Sequence, residues 1–238
     1  MLTVAVVLAG GSGRRLGGDV PKQLQLLAGR TLLEHSVAAF EQAPDVDAIT
    51  IVMPADLAGQ AGQQFAGNGY HKVTGVIAGG ATRTDSTRCA IAALGEAECN
   101  VLFHDAARPL LDQRIIADCV RALATDQAIG VAVPSSDTIV EVTEGVVTRM
   151  PRRDTLARCQ TPQGFRLSVI RQAYELADAD PAFGQRPSTD DCGIVLRYLP
   201  EVPVRLVPGS ERNIKITYPH DLEVAEALLR QGEPPAQC

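Results

Sequence analysis

The sequence predicts a three-layer α/β fold built on a mostly parallel, doubly wound sheet. Short apolar runs alternate with segments of helical spacing, and the first run leads into a glycine-rich loop. Residues 2–9 form an unbroken valine-rich run that is too short for a helix, which indicates a strand buried on both faces. Alternation of such strands with helices is typical of a doubly wound sheet.

The remaining elements follow the same alternation. Strands are predicted at residues 48–53, 73–77, 101–103, 128–133 and 204–207, and helices at 32–40, 84–94, 115–123, 167–176 and 222–229. Gly95 comes directly after one of these helices, at the position where a left-handed residue ends many helices. We expect a single domain over residues 1–238, with residues 232–238 frayed.

A projecting arm is predicted at residues 134–158, inserted within that domain, where the alternation breaks after Pro134. Residues 138–147 alternate β-branched and charged side chains around Glu144-Gly145, which is the composition of an exposed β-hairpin. Because such a hairpin leaves strand edges open, we expect a partner to cover it.

Composition excludes several classes of protein. With 45% hydrophobic and 21% charged residues the chain can build a large core, and its net charge of −6 provides no general field for nucleic acid or an anionic membrane. No apolar stretch approaches the roughly 20 residues of a membrane span, so we expect a cytoplasmic protein. The six cysteines form no C-x-x-C pair and the four histidines lack metal-ligand spacing, so neither predicts a zinc or disulfide site.

The first loop has the composition of a phosphate-binding loop. It has the sequence LAGGSGRRLG at residues 8–17 and is followed by Pro21, Lys22 and Gln23. Glycines let successive backbone N–H groups approach phosphates, and Arg15 and Lys22 add positive charge. A dinucleotide-binding G-x-G-x-x-G would need glycine at position 16, and the P-loop motif is absent. The alternative is a tight turn whose glycines serve the backbone only.

A second motif, HDAARP at residues 104–109, follows the fourth predicted strand. Ligands of open parallel sheets bind beyond the carboxyl ends of the strands, so Asp105 is expected to face the crevice of the first loop. One carboxylate beside a triphosphate is sufficient for Mg²⁺, which predicts Asp105 as the metal ligand. A turn-capping Asp105 and a surface Arg108 are the alternatives.

Several weaker motifs become informative together: GGATRTDS at 79–86, SDT at 136–138, Arg153 ahead of QTPQ at 160–163, TDD at 189–191 and NIKIT at 213–217. With the two motifs above, their order resembles the cytidylyltransferase family that contains 2-C-methyl-D-erythritol 4-phosphate cytidylyltransferase and ribitol-5-phosphate cytidylyltransferase. The resemblance covers residues 4–229. It implies a Rossmann-like nucleotidyltransferase fold, Mg²⁺ dependence and a homodimer in which each arm reaches the neighbouring protomer.

The same resemblance implies a role for individual residues, and the arm of the partner would contribute Arg153 to the site. The implied catalytic residues are Arg15, Lys22 and Lys215, with Asp105 binding Mg²⁺. The implied CTP-binding residues are Ala9, Gly10, Gly11, Gly13, Gly80 and Ser86. The implied acceptor-binding residues are Arg108, Thr138, Arg153 and Thr189.

The implied reaction joins CTP to a polyol phosphate and releases pyrophosphate. Two acceptors stay open. HDAARP favours 2-C-methyl-D-erythritol 4-phosphate, a precursor of isoprenoids, whereas LAGG at residues 8–11 and Val140 favour D-ribitol 5-phosphate and hence CDP-ribitol for cell-surface polymers. The alternatives from other classes are a sugar-1-phosphate nucleotidylyltransferase, a dinucleotide-binding oxidoreductase and a non-catalytic nucleotide sensor.

Overall fold

The computed structural model describes residues 1–11, 20–67, 69–185, 188 and 190–232. In this part of the chain the strands are β1 Thr3–Leu8, β2 Leu26–Leu27, β3 Arg30–Thr31, β4 Ala48–Met53, β5 Val73–Ala78, β6 Asn100–Asp105, β7 Ala128–Pro134, β8 Glu141–Thr143, β9 Val146–Arg149, β10 Ala157–Arg166 and β11 Val204–Pro208. The helices are α1 Leu32–Gln42, α2 Ala55–Gly67, α3 Arg83–Ala93, α4 Gln113–Ala122, α5 Leu167–Ala179, α6 Asp191–Tyr198 and α7 Pro219–Arg230.

A mixed sheet forms the middle layer. Among the described residues its seven strands lie in the order β11-β7-β10-β6-β1-β4-β5. Every neighbouring pair is parallel except those of β10, which runs antiparallel to both β6 and β7. From β1 the chain continues to β4 and then β5 on one side of β1. The next strand, β6, lies on the other side of β1. The sheet therefore has its topological switch point between β1 and β6, where ligands of such folds bind.

Helices cover both faces of the sheet, which confirms the predicted three-layer α/β fold. The alternation along β1 shows the two faces, since Ala5 and Val7 belong to one buried cluster and Val6 to the other. The first cluster includes apolar residues of α1, α2 and α4, and the second includes those of α3, α5 and α6. Burial on both faces explains why the central strands read as continuous apolar runs.

Several elements are absent from the prediction, among them helix α2 and the short strands β2 and β3. Strand β10 was not predicted, because QTPQ places polar residues and a proline inside it, yet Gln160, Thr161 and Gln163 are all buried. Helix α6 was also missed, since its eight residues are too few for a clear helical period. The predicted helix end at Gly95 is confirmed, with φ of +68°.

Within the predicted hairpin region β8 and β9 pair antiparallel, joined through Glu144 and Gly145 with φ of +50° and +79°, and the role of this hairpin as a dimer arm stays a prediction. Positive φ at both central residues is the geometry of the tight turns that suit hairpins. All residues of the two strands are exposed, and the hairpin forms its own two-stranded sheet. No helix in the described part of the chain is long and apolar enough to cross a membrane.

Candidate active site

A cleft of about 550 Å³ opens beyond the carboxyl ends of β1 and β6, at the switch point of the sheet. The segments that follow β1, β5 and β6 form its walls, together with residues near Lys22 and Lys215. Residues 8–11 of the first loop and residues 105–107 of the HDAARP motif therefore line one crevice, as the sequence predicted. The lining residues are Leu8, Ala9, Gly10, Gly11, Lys22, Gln23, Ala81, Thr82, Arg83, Ser86, Asp105, Ala106, Ala107, Lys215 and Thr217.

Asp105 is the buried acidic group of this cleft and the last residue of β6. Its Oδ1 accepts a hydrogen bond from Nε of Arg83 at 3.1 Å, and its Oδ2 accepts one from Nζ of Lys215 at 2.6 Å. Burial opposes ionisation, but the charges of Arg83 and Lys215 hold the pKa of Asp105 well below its usual range. Asp105 is therefore a carboxylate throughout the physiological pH range.

His104 takes part in a buried hydrogen-bond chain behind Asp105. The backbone N–H of Asp105 donates to Oγ1 of Thr161 at 3.1 Å, and Thr161 Oγ1 lies 3.0 Å from Nδ1 of His104. Nε2 of His104 lies 3.1 Å from the carbonyl oxygen of Arg108, which can only accept, so Nε2 carries the proton and Nδ1 accepts from Thr161. Burial lowers the pKa of His104 to about 4, so it is a neutral structural group.

The glycines near α3 leave no space for side chains. A Cβ added to Gly79 would lie 2.7 Å from Oγ of Ser86, and one added to Gly80 would lie 2.3 Å from Cβ of Asp85. Ser86 Oγ donates to the carbonyl oxygen of Thr82 at 2.9 Å, which fixes the hydroxyl beside the loop after β1. Of the predicted CTP-binding residues, those lining the cleft are Ala9, Gly10, Gly11 and Ser86, with Gly80 packed beside them.

Lys215 is positioned by its neighbours in NIKIT. Asn213 is buried and its Nδ2 donates to the carbonyl oxygen of Thr161 at 2.8 Å. Arg108 donates from Nη1 to the carbonyl oxygen of Asn213 at 2.8 Å and from Nη2 to that of Cys159 at 3.3 Å. In this arrangement Arg108 braces the segment that carries Lys215 and lies beside the cleft lining, so its predicted acceptor contact stays a prediction.

Two other predicted acceptor residues, Thr138 and Arg153, are not among the lining residues of the cleft. Thr138 and Arg153 are exposed on the arm, where Nη1 of Arg153 donates to the carbonyl oxygen of Ser136 at 3.2 Å. Ser136 is two residues before Thr138 in the chain, and neither Thr138 nor Arg153 lines the cleft that holds Asp105. Arg15, Gly13 and Thr189 lie outside the described residues.

Arg83 is a cleft residue to which the sequence assigned no role. It pairs with Asp105 and also, through Nη1, with Oδ2 of Asp191 at 2.8 Å. An arginine in the first turn of a helix opposes the helix dipole, so its place directly after the N-cap Thr82 was a sign of nearby carboxylates. The identity of those carboxylates was hidden, because Asp191 is far along the chain.

The donor set suits magnesium only in part. Among the described residues no group of three or more His, Cys, Asp and Glu side chains is placed to hold a metal ion. The ionised Asp105 lies at the cleft and could give one oxygen ligand. Magnesium accepts such a site when phosphate oxygens and water provide the remaining ligands, so the residues fit an ion that arrives with a triphosphate.

The family comparison decides the class of this enzyme. The model of the 2-C-methyl-D-erythritol 4-phosphate cytidylyltransferase (IspD) family matches residues 3–231. The chain belongs to this family. It is therefore a CTP-dependent nucleotidyltransferase, and the hypotheses of a sugar-1-phosphate nucleotidylyltransferase, an oxidoreductase or a sensor are set aside.

Individual relatives agree with membership of the IspD family. A 2-C-methyl-D-erythritol 4-phosphate cytidylyltransferase of Thermobifida fusca is 53% identical over 235 residues, covering 96% of this chain and 93% of that protein. A bifunctional ribulose 5-phosphate reductase/CDP-ribitol pyrophosphorylase of Haemophilus influenzae is 39% identical over 231 residues, covering 95% of this chain and 48% of that protein. The crystal structure of 4-diphosphocytidyl-2C-methyl-D-erythritol synthase from Anaerococcus prevotii superposes with a TM-score of 0.82 at 28% identity, covering 96% and 98% of the two chains.

Proposed function

We propose that this enzyme transfers the cytidylyl group of CTP to 2-C-methyl-D-erythritol 4-phosphate, a step in the synthesis of isoprenoid precursors. The observation that supports this acceptor is the 53% identity with the Thermobifida fusca enzyme of that name along nearly the whole of both chains. A reaction that consumes CTP also fits the cytoplasmic location expected from the sequence.

The proposed reaction needs no protein base. An oxygen of the acceptor phosphate attacks the α-phosphorus of CTP, the bond from that phosphorus to the α,β-bridging oxygen breaks, and pyrophosphate leaves. A phosphate monoester has a second pKa of about 6, so its oxygen is already deprotonated at neutral pH. The neutral, buried His104 is consistent with this chemistry, because its ring nitrogens are engaged by Thr161 and Arg108.

The protein's main task is then to hold two anions together and to neutralise charge on the leaving group. Lys22 and Lys215 lie on the lining of the cleft and can approach phosphate oxygens, with Arg15 proposed as a third cation. Lys215 must exchange its contact with Asp105 for one with phosphate. That exchange becomes favourable when a tetra-anionic nucleotide enters the cleft beside it.

Magnesium is part of the proposal, with Asp105 as its protein ligand. The ion would neutralise phosphate charge and polarise the phosphoryl oxygens. Asp105 fits this role because its carboxylate is ionised and fixed at the end of β6 before ligand binds. The triphosphate and water would supply the remaining ligands.

We also propose a homodimer in which the arm delivers Arg153 to the site of the other protomer. The arm exposes an apolar surface, which we define as Ile139, Val140, Val142, Val146, Val147 and Met150, each between 38% and 64% exposed. Exposed apolar side chains concentrated on one projecting segment are typical of a surface that a partner covers. Arg153 is exposed and is not among the lining residues of its own protomer's cleft, so a role in the partner's site would explain its position.

D-ribitol 5-phosphate is the second candidate acceptor. The Haemophilus influenzae protein named for CDP-ribitol formation is 39% identical over 231 residues, and LAGG at residues 8–11 favours that branch. The chain spans about half the length of that bifunctional protein.

Pyrophosphate release tests the proposal. The enzyme is incubated with Mg²⁺, CTP and each polyol phosphate, and ATP, GTP and UTP are tested in place of CTP. Rapid release with CTP and methylerythritol phosphate, and with no other nucleotide, is expected. If none of the polyol phosphates supported release of pyrophosphate from CTP, the proposed function would be contradicted.

A further inference from the structure

We infer that Arg83 is a positioning residue for cytidylyl transfer, which fixes Asp105 by tying it to the buried start of α6. The inference rests on the proposed function and adds a residue to it. The guanidinium joins two carboxylates, with Nε 3.1 Å from Oδ1 of Asp105 and Nη1 2.8 Å from Oδ2 of Asp191. The start of α3, the end of β6 and the start of α6 thus meet at one side chain.

Asp191 is the fixed end of this arrangement. Its side chain is 0% exposed, its Oδ1 accepts from the hydroxyl of Tyr174 at 2.7 Å, and its backbone N–H donates to Oε1 of Gln163 at 3.0 Å. A carboxylate buried so deeply needs a cation beside it, and Arg83 supplies that charge. Asp191, Tyr174 and Gln163 are not among the lining residues of the cleft, so Asp191 can hold the guanidinium in one place throughout the reaction.

Asp105 receives a different partner on each oxygen. Oδ1 contacts Arg83, whose side chain is 25% exposed and anchored at Asp191, whereas Oδ2 contacts Lys215, whose side chain is 43% exposed at the cleft. A ligand can therefore take Lys215 away from Oδ2 while Arg83 keeps the carboxylate oriented. Oδ2 is the oxygen that would then face a magnesium ion.

Only arginine has the geometry for this role. Its planar guanidinium presents several N–H groups in fixed directions, so Nε and Nη1 reach two carboxylates at once. A lysine has the same charge but one nitrogen, and could approach one carboxylate only. The substitution Arg83→Lys therefore removes the bridge while it retains the charge.

Arg88→Lys provides a matched control. Arg88 lies on the same helix, its side chain is 28% exposed, and it also pairs with two aspartates, Asp85 and Asp178. We expect Arg83→Lys to lower kcat by roughly 10- to 100-fold and to raise the KM for CTP in Mg²⁺ about tenfold, as for other residues that orient a metal ligand. Arg88→Lys should retain wild-type kcat. Equal kcat values for the two variants would overturn the inference.

A binding measurement separates positioning from structural support. Calorimetry gives the affinity for CTP in EDTA and in Mg²⁺, without acceptor, and thermal unfolding reports the stability of each variant. We expect the gain in affinity on adding Mg²⁺ to fall about tenfold in Arg83→Lys, with affinity in EDTA unchanged. Equal weakening in both conditions, or a wild-type protein with no gain from Mg²⁺, would overturn the inference.

A double-mutant cycle tests the link to Asp191. Asp191→Asn removes the anchoring charge. Arg83→Lys should therefore lower the Mg²⁺-dependent gain in CTP affinity less in the Asp191→Asn background than in the wild-type background. Additive losses of this affinity gain would overturn the link. Because CTP binding requires no acceptor, this result is independent of the proposed reaction. A wild-type enzyme that binds CTP with Mg²⁺ but uses no polyol phosphate would refute the proposed function. The binding measurements would still decide whether Arg83 positions Asp105.

Discussion

Nζ of Lys215 lies 2.6 Å from Oδ2 of Asp105, so a proposed phosphate-binding cation and the proposed magnesium ligand neutralise each other before substrate enters. Together with Arg83, Lys215 holds the pKa of Asp105 well below its usual range, and the pairing fixes both side chains at the carboxyl end of β6. Substrate binding would then exchange one contact for two, with Lys215 moving to phosphate and Asp105 turning to the metal. The two side chains therefore have linked roles, and their variants should differ in kind.

Asp105→Asn should abolish most turnover, because a neutral amide is a much weaker magnesium ligand. The buried position adds a second effect. Removing the charge leaves Arg83 without one of its partners, so the free energy of unfolding should fall by about 3 kcal/mol while the fold persists. Steady-state kinetics at saturating Mg²⁺ and urea unfolding measure the two effects. Near wild-type kcat would refute the assignment of Asp105 to the metal.

Lys22→Ala and Lys215→Ala should each lower kcat by roughly 10²-fold or more, taking one preorganised charge as about 3 kcal/mol of transition-state stabilisation. Lys215→Ala should also destabilise the free protein slightly, since Asp105 loses a partner. If only the KM for CTP increased, with kcat unchanged, both lysines would bind the ground state and not the transition state.

The arm should make catalysis a property of the dimer. Arg153→Ala should impair use of the acceptor and leave CTP binding intact, because Arg153 lies on the exposed arm and not on the cleft. Mixing Arg153→Ala protomers with Lys22→Ala protomers should restore activity to about a quarter of wild type, since half of the dimers are mixed and each has one intact site. Mass spectrometry of the mixture serves as the control that the subunits exchange. Exchange without recovered activity would show that Arg153 does not act in the partner's site.

His104 should make the fold sensitive to mild acid. Its pKa is lowered by burial to about 4, so between about pH 6.5 and 4 the unfolded chain binds a proton that the folded protein excludes. The free energy of unfolding should therefore fall as pH decreases, by about 2 kcal/mol between pH 7 and pH 5. Urea unfolding at both values measures this, with His104→Gln as the control. If the free energy of unfolding of His104→Gln fell by the same amount between pH 7 and pH 5, the effect would come from other groups.

Much of the fold was accessible from the sequence because buried parallel strands have a strong apolar signature. Strand β10 was not, since its polar residues look like a loop. In the structure those residues serve the site from within the sheet: Gln163 accepts from the backbone N–H of Asp191, and Thr161 accepts from that of Asp105. A strand whose interior is polar is recognisable only once its partners are known.

The residues of the site were also only partly predictable from the sequence. The position of the first loop and HDAARP after predicted parallel strands predicted a shared crevice, and in the structure Lys22, Asp105 and Lys215 line one cleft. The role of Arg83 depends on Asp191, which lies on a different helix at the other end of the chain. Long-range ion pairs of this kind depend on tertiary packing and leave no local pattern.

A competition between the two acceptors tests the central claim most directly. Equal concentrations of 2-C-methyl-D-erythritol 4-phosphate and D-ribitol 5-phosphate are incubated with the enzyme, CTP and Mg²⁺, and both products are quantified by mass spectrometry at low conversion. Their ratio is the ratio of kcat/KM values. We expect the CDP-methylerythritol product to exceed CDP-ribitol by roughly tenfold or more, because the two five-carbon acceptors differ in branching and in one hydroxyl group that the pocket can distinguish. An excess of CDP-ribitol, or neither product, would contradict the proposed function.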